Sequence, residues 1–120
     1  MGAGEVGFQL ARFLSAENID VVVVDKNKKK LKRISEVLDV ALTEGEGGSP
    51  SVLKHAGADE ADILLAVTDM DETNMISCLV AKVMFQIPRN VARIRNLEYF
   101  SNQMENPFSS KLGVVSRSKP

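Results

Sequence analysis

The chain has 120 residues, 44% hydrophobic and 26% charged, which fits one folded domain and excludes a disordered polymer. Its 15 basic and 16 acidic residues leave a net charge of −1, without the basic excess of a nucleic-acid binder. Cys78 is the single cysteine, so neither an internal disulfide nor a cysteine-rich zinc site can form, and a reducing cytoplasm is expected. No apolar run reaches the roughly 18 residues of a membrane span. The first residues do not read as a signal peptide, and any work at a membrane is expected to be done by docking rather than insertion.

The opening stretch Met1-Gly2-Ala3-Gly4-Glu5-Val6-Gly7 spells G-x-G-x-x-G. In a dinucleotide-binding domain the first glycine permits a tight turn. The second lets the backbone approach a pyrophosphate, and the third lets helix and strand pack closely. Phosphate then meets free N–H groups at a helix N-terminus. The motif needs context, and a buried strand should precede Gly2, where only Met1 stands.

Val6, Leu10, Phe13 and Leu14 follow at helical spacing and predict a helix ending near Asn18. The β-branched run Val21 to Val24 predicts a strand buried on both faces, closed by Asp25. Asn27 is placed to cap a helix whose buried face is Leu31, Ile34, Val37 and Leu38. Val40 to Thr43 predicts a short strand, and Gly45 to Gly48 a loop. Ser49-Pro50 is a helix start signal, and Gly57 can end that helix.

Ile63 to Val67 predicts a further apolar strand. Asp69 and Glu72 form a capping-box-like pattern before a helix over Thr73 to Phe85. Val91 to Arg95 alternates as a strand, Leu97 to Met104 predicts a helix, and Val114-Val115 a weak last strand. Strands alternate with helices. The expected class is therefore α/β: a Rossmann-like doubly wound parallel sheet with right-handed crossovers, lacking its first strand.

Asp25 lies 21 positions after Gly4 at a strand end, where a dinucleotide site needs an acceptor for the adenosine ribose. Alternatively it is a strand-end residue capping the next helix. An acid there repels a 2′-phosphate and favours NAD over NADP, but it does not separate NAD from ATP or ADP. Lys26 and Lys28 to Lys30 can contact a phosphate or form a solvated helix face, and the composition favours the face.

Thr68 and Asp69 end a strand facing the same crevice. Asp69, Asp71 and Glu72 are accounted for by helix-dipole compensation. Arg93 and Arg95 alternate with Ala92 and Ile94, so they share one strand face, for a phosphate, a neighbouring subunit's carboxylate or a surface salt bridge. His55 reads as structural and Cys78 as a buried inert thiol. Met70, Met75 and Met84 read as packing residues. No set of residues for acid–base or nucleophilic chemistry emerges.

Several segments together resemble the N-terminal nucleotide-binding domain of the potassium-uptake protein TrkA family, the RCK or KTN domain. They are Gly2 to Gly7, Val23-Val24-Asp25-Lys26, Val52 to Ala58 and Asp62 to Thr68, with Asp71-Glu72-Thr73-Asn74-Met75 and Ala92-Arg93-Ile94-Arg95-Asn96 the most specific. The resemblance covers residues 2 to 100 and fades after Pro107, so residues 1–120 are read as one such domain.

The resemblance implies a regulatory subunit, not an enzyme, on the cytoplasmic face of a membrane potassium transporter or channel. Its nucleotide is NAD(H), or else ATP or ADP, and its assembly a homodimer or larger ring. By position, Gly2, Gly4 and Gly7, with Glu5 and Val6 between them, hold the phosphates. Asp25 with Lys26 takes the ribose end, Thr68 and Asp69 border the nucleotide, and Arg93 and Arg95 lie near it or near the subunit contact.

The departures are the missing first strand, Gly48 where the family carries Ser or Thr, and the absence of a C-terminal ligand domain. In strand order 3-2-1-4-5-6 the first strand joins the two halves of the sheet. The sequence is therefore expected to be a truncated one, begun at a late start codon. It should fold poorly alone or take a strand from another molecule. Two competing readings are the cofactor domain of an NAD-dependent oxidoreductase, cut from a longer chain, and a structural oligomerisation module with a decayed site.

Overall fold

The computed structural model describes residues 2–100 and 114–116. Helix α1, Gly2–Ala16, runs from the glycine stretch itself. It ends in a Schellman motif: Asn18 takes a left-handed φ of 66°, Asn18 N–H donates to Ser15 O, and Ile19 N–H donates to Leu14 O. The expected turn at Gly2 is absent. Gly2 and Gly4 lie in the first helical turn and Gly7 in the second. Glycine costs a helix only about 1 kcal/mol relative to alanine, and no described strand precedes Gly2 to impose a turn there.

The first unit is strand β1, Val22–Asp25, helix α2, Lys28–Val37, and strand β2, Ala41–Glu44. The strands pair in parallel from Val22 opposite Ala41 to Asp25 opposite Glu44. Asn27 caps α2 as its sequence position predicts, its side chain accepting the Lys30 N–H at 3.1 Å. Helix α3, Pro50–His55, starts at the expected signal, with Ser49 Oγ accepting the Val52 N–H. Gly57, at φ 94°, ends it and leads into a short 3-10 turn, Ala58–Glu60.

The second unit is strand β3, Ile63–Ala66, helix α4, Asp71–Phe85, strand β4, Arg89–Ala92, and strand β5, Val114–Ser116. A 3-10 turn, Leu97–Phe100, stands where a helix to Met104 is predicted, and residues 101–104 lie outside those described. Strand β4 is set earlier than the apolar alternation suggests. Its parallel register runs from Ile63 opposite Arg89 to Ala66 opposite Ala92. Arg93 and Arg95 consequently follow the strand instead of lying in it.

The parallel strands form two sheets, β1-β2 and β3-β4-β5. These correspond to the two outer parts of the order 3-2-1-4-5-6, and no described strand stands between β1 and β3. Burial on both faces is therefore not reached in either edge strand. Val22 is 43% and Ile63 44% exposed, whereas Asn90 and Ala92 of the central β4 are buried.

The core lies along α4. Met75 and Cys78 pack with Ala66, Ala92 and Ile94, and Ala81 packs with Leu53, Ala58 and Ile87. Met70 and Met84, expected to pack, are 54% and 59% exposed; Met70 precedes α4, and neither belongs to these clusters.

The loop after β2 docks on α4. Ser77 Oγ donates to Gly47 O at 2.8 Å. A Cβ at Gly48 would stand 3.1 Å from Ile76 Cγ2, a tight contact that a small shift of this half-exposed side chain would relieve. At Gly45 a Cβ would fall 2.6 Å from Val52 Cγ2.

Candidate functional site

Two of the sequence-predicted residues, Thr68 and Arg93, meet around one buried amide. Asn74, 0% exposed, accepts from Thr68 N–H at 2.9 Å and from Thr68 Oγ1 at 2.7 Å through Oδ1. Its Nδ2 donates to Thr68 O at 3.0 Å and to Arg93 O at 2.8 Å. The ends of β3 and β4 are thus fastened together, and Arg93 N–H continues their ladder by donating to Ala66 O. One turn earlier, the Asp71 carboxylate accepts Arg95 N–H and Asn96 N–H, the latter at 2.7 Å. Asp69 joins through its carbonyl, which accepts from Arg95 Nη2 at 2.6 Å.

These bonds correct three readings of the sequence. Asp69 and Glu72 do not form a capping box. Met70 is the N-cap of α4 and no side chain bonds at that cap. Asp71 does more than compensate a dipole, since its carboxylate holds the backbone after β4. Nor does either arginine form a surface salt bridge among the described residues. Arg95 bonds a carbonyl, and Arg93 Nη1 is buried without a partner.

Asp69, Met70, Asp71, Glu72, Arg95 and Asn96 line an open concavity of about 390 Å³ at the N-terminal end of α4. Glu72 also accepts from the Tyr99 hydroxyl at 3.0 Å, and that bond, with the nearby carboxylates, raises the Tyr99 phenol above its ordinary range. The exposed carboxylates of Asp69 and Glu72 make this concavity poor for a diphosphate and suited to hydroxyl or amide donors.

The other candidates are arranged separately. Gly7 faces the C-terminal end of β3, where an added Cβ would lie 3.7 Å from Val67 Cγ2. Asp25 Oδ1 accepts the Asn27 N–H at 2.7 Å, while Oδ2 accepts from none of the described residues. Lys26 Nζ lies 3.4 Å from Glu46 and Lys28 Nζ 3.9 Å from Glu44, both in exposed pairs. No hydrogen bond joins Asp25 to α1 among the described residues.

The TrkA-N domain family matches residues 1–113 of the chain. The chain belongs to the TrkA-N domain family. It is 45% identical over 103 residues to the Trk system potassium uptake protein TrkA of Vibrio alginolyticus, covering 86% of this chain and 22% of that protein. The TrkA of Halomonas elongata is 42% identical over the same shares of the two chains. A TrkA homolog 1 of Methanosarcina mazei is 37% identical over 95% of this chain and 25% of its own. The chain thus spans about a quarter of the length of these relatives.

TrkA-N is a dinucleotide-binding Rossmann-type domain, which agrees with the parallel strands and their helical crossovers. What the sequence reading missed in this TrkA-N chain is the row Asp71, Asn74 and Ser77. Each is buried, and each bonds a different segment of chain. The signal was present, since polar residues recur every three positions on the same stripe as Met75, Cys78 and Ala81. No described helix is long and apolar enough to cross a membrane. Among the described residues no group of His, Cys, Asp and Glu is placed to hold a metal ion. His55 is exposed in the last turn of α3.

Proposed function

We propose that the chain is the nucleotide-sensing domain of a potassium-uptake regulator. It binds NAD(H), or ATP or ADP, and passes the bound state to a membrane potassium transporter or channel subunit. The observation that carries this reading is the TrkA-N match across residues 1–113, on a chain whose parallel strands end in a polar crest. The relatives are named potassium uptake proteins, which supports a regulatory role over the oxidoreductase alternative.

In this reading the first-turn N–H groups of α1, from Gly2 to Glu5, take the diphosphate, with Val6 and Gly7 allowing close approach. Asp25 offers Oδ2 to the ribose hydroxyls, and Lys26 stands at the rim. Thr68, Asp69, Arg93 and Arg95 flank the far end of the nucleotide. The domain acts at the cytoplasmic face of the plasma membrane as a homodimer or larger ring. A ligand can shift such an assembly only by its differential affinity for two states.

Calorimetric titration with NAD, NADH, ATP and ADP tests the reading. Saturable binding of at least one, with NADP excluded by the Asp25 charge, is expected. Absence of binding by all four overturns it.

A further inference from the structure

We propose that Asn74 is the positioning residue that couples nucleotide contact at Thr68 to the segment bearing Arg93 and Arg95. The inference rests on the nucleotide reading above and adds how the site is read out. A side-chain amide has two acceptor and two donor positions, and Asn74 uses all four, on Thr68 N–H, Thr68 Oγ1, Thr68 O and Arg93 O. Its orientation is fixed. Reversed, its NH2 would face the Thr68 N–H and its oxygen would face two carbonyls.

The amide is fully buried, so water cannot replace a broken bond without the helix opening. A displacement of Thr68 must therefore carry Arg93 with it or leave a buried polar group unpaired. The link closes on itself. Asp69 follows Thr68 in the chain, its carbonyl holds Arg95 Nη2, and Arg95 lies two residues beyond Arg93. Apolar packing between β3 and β4 would not transmit direction in this way, since it has no fixed partner atoms. The Thr68 hydroxyl, with one proton and a 2.7 Å acceptor in Asn74 against 3.2 Å to Met70 O, is the atom a ligand would perturb.

Amide hydrogen exchange on the 120-residue chain tests this, without ligand and with NADH or ATP. Without ligand, the Thr68 and Arg93 amides should open together, with matching protection, while the amides of the α4 core stay protected. Protection that differs by about tenfold or more between them overturns the proposal.

With nucleotide, both amides should gain protection. In Asn74→Ala only Thr68 should respond, and a response at both would overturn the coupling. If no nucleotide binds the unaltered chain, the sensing function falls, and the ligand-free comparison decides the coupling alone. It also decides if Asn74→Ala does not fold.

Discussion

Both carboxylate oxygens of Asp71 accept the backbone N–H of Arg95, at 2.9 and 3.0 Å, across 24 positions of sequence. A buried acid at the start of a helix thereby holds the chain that leaves the central strand. Asp71→Asn keeps the shape but turns an NH2 group toward backbone N–H donors. The variant should lose about 1–3 kcal/mol, the range for leaving a buried hydrogen-bonding group unsatisfied. Urea denaturation would show this as a lower midpoint with unchanged slope, and an unshifted midpoint would contradict it.

Glycines in this chain should respond unequally to alanine. At Gly45 the new Cβ would meet Val52 Cγ2 at 2.6 Å, and overpacking of this kind costs about 1–3 kcal/mol. At Gly7 the contact is an ordinary 3.7 Å within a helix, so Gly7→Ala should raise stability by about 0.5–1 kcal/mol. Thermal melts of the two variants should move in opposite directions.

Burial pushes the Cys78 thiol up from 9.0 to about 12. Between those values the folded chain keeps a proton that the unfolded chain has lost. The stability this group contributes is complete below pH 9.0 and declines as pH rises toward 12. Urea midpoints at about pH 8 and about pH 10 should fall with rising pH, and less steeply in Cys78→Ala. The native thiol should also resist alkylation until the chain unfolds.

Asp25 carries two separable burdens. Asp25→Ala removes the acceptor of the Asn27 N–H, a local loss of about 1 kcal/mol in stability. On the nucleotide reading it also removes a charged acceptor of the ribose, which should weaken NADH or ATP binding by about ten- to hundredfold. Titration and melting of the same variant separate the two effects. A change in melting with unaltered affinity would assign Asp25 to holding the Asn27 N–H alone.

The features legible in the sequence are those set by local chemistry. Asn27, Ser49-Pro50 and Gly57 do at their positions what their side chains and backbone freedom dictate. The β-α-β alternation likewise follows from apolar runs separated by amphipathic stretches. Less was legible wherever a distant partner decides. Strand β4 starts at Arg89, directly after Pro88, because its ladder with β3 begins there, while the apolar alternation places it near Val91.

The site was half legible for the same reason. Thr68, Asp69 and the two arginines were picked out as residues, but Asn74 and Asp71 join them through bonds spanning 19 and 24 positions. Nothing local to α4 announces those partners. The capping-box pattern at Asp69 and Glu72 fits a helix start and is nevertheless unused, because α4 takes Met70, one residue later, as its N-cap and Glu72 accepts from the Tyr99 hydroxyl.

Asp71, Asn74 and Ser77 bond residues 95–96, residues 68 and 93, and residue 47 respectively. Helix α4 is keyed like a shaft. Twisting it about its axis would unseat all of these teeth at once, so the low-energy movements left to it are tilting and sliding with its neighbours in tow. One helix therefore ties together loops that belong to both halves of the split sheet.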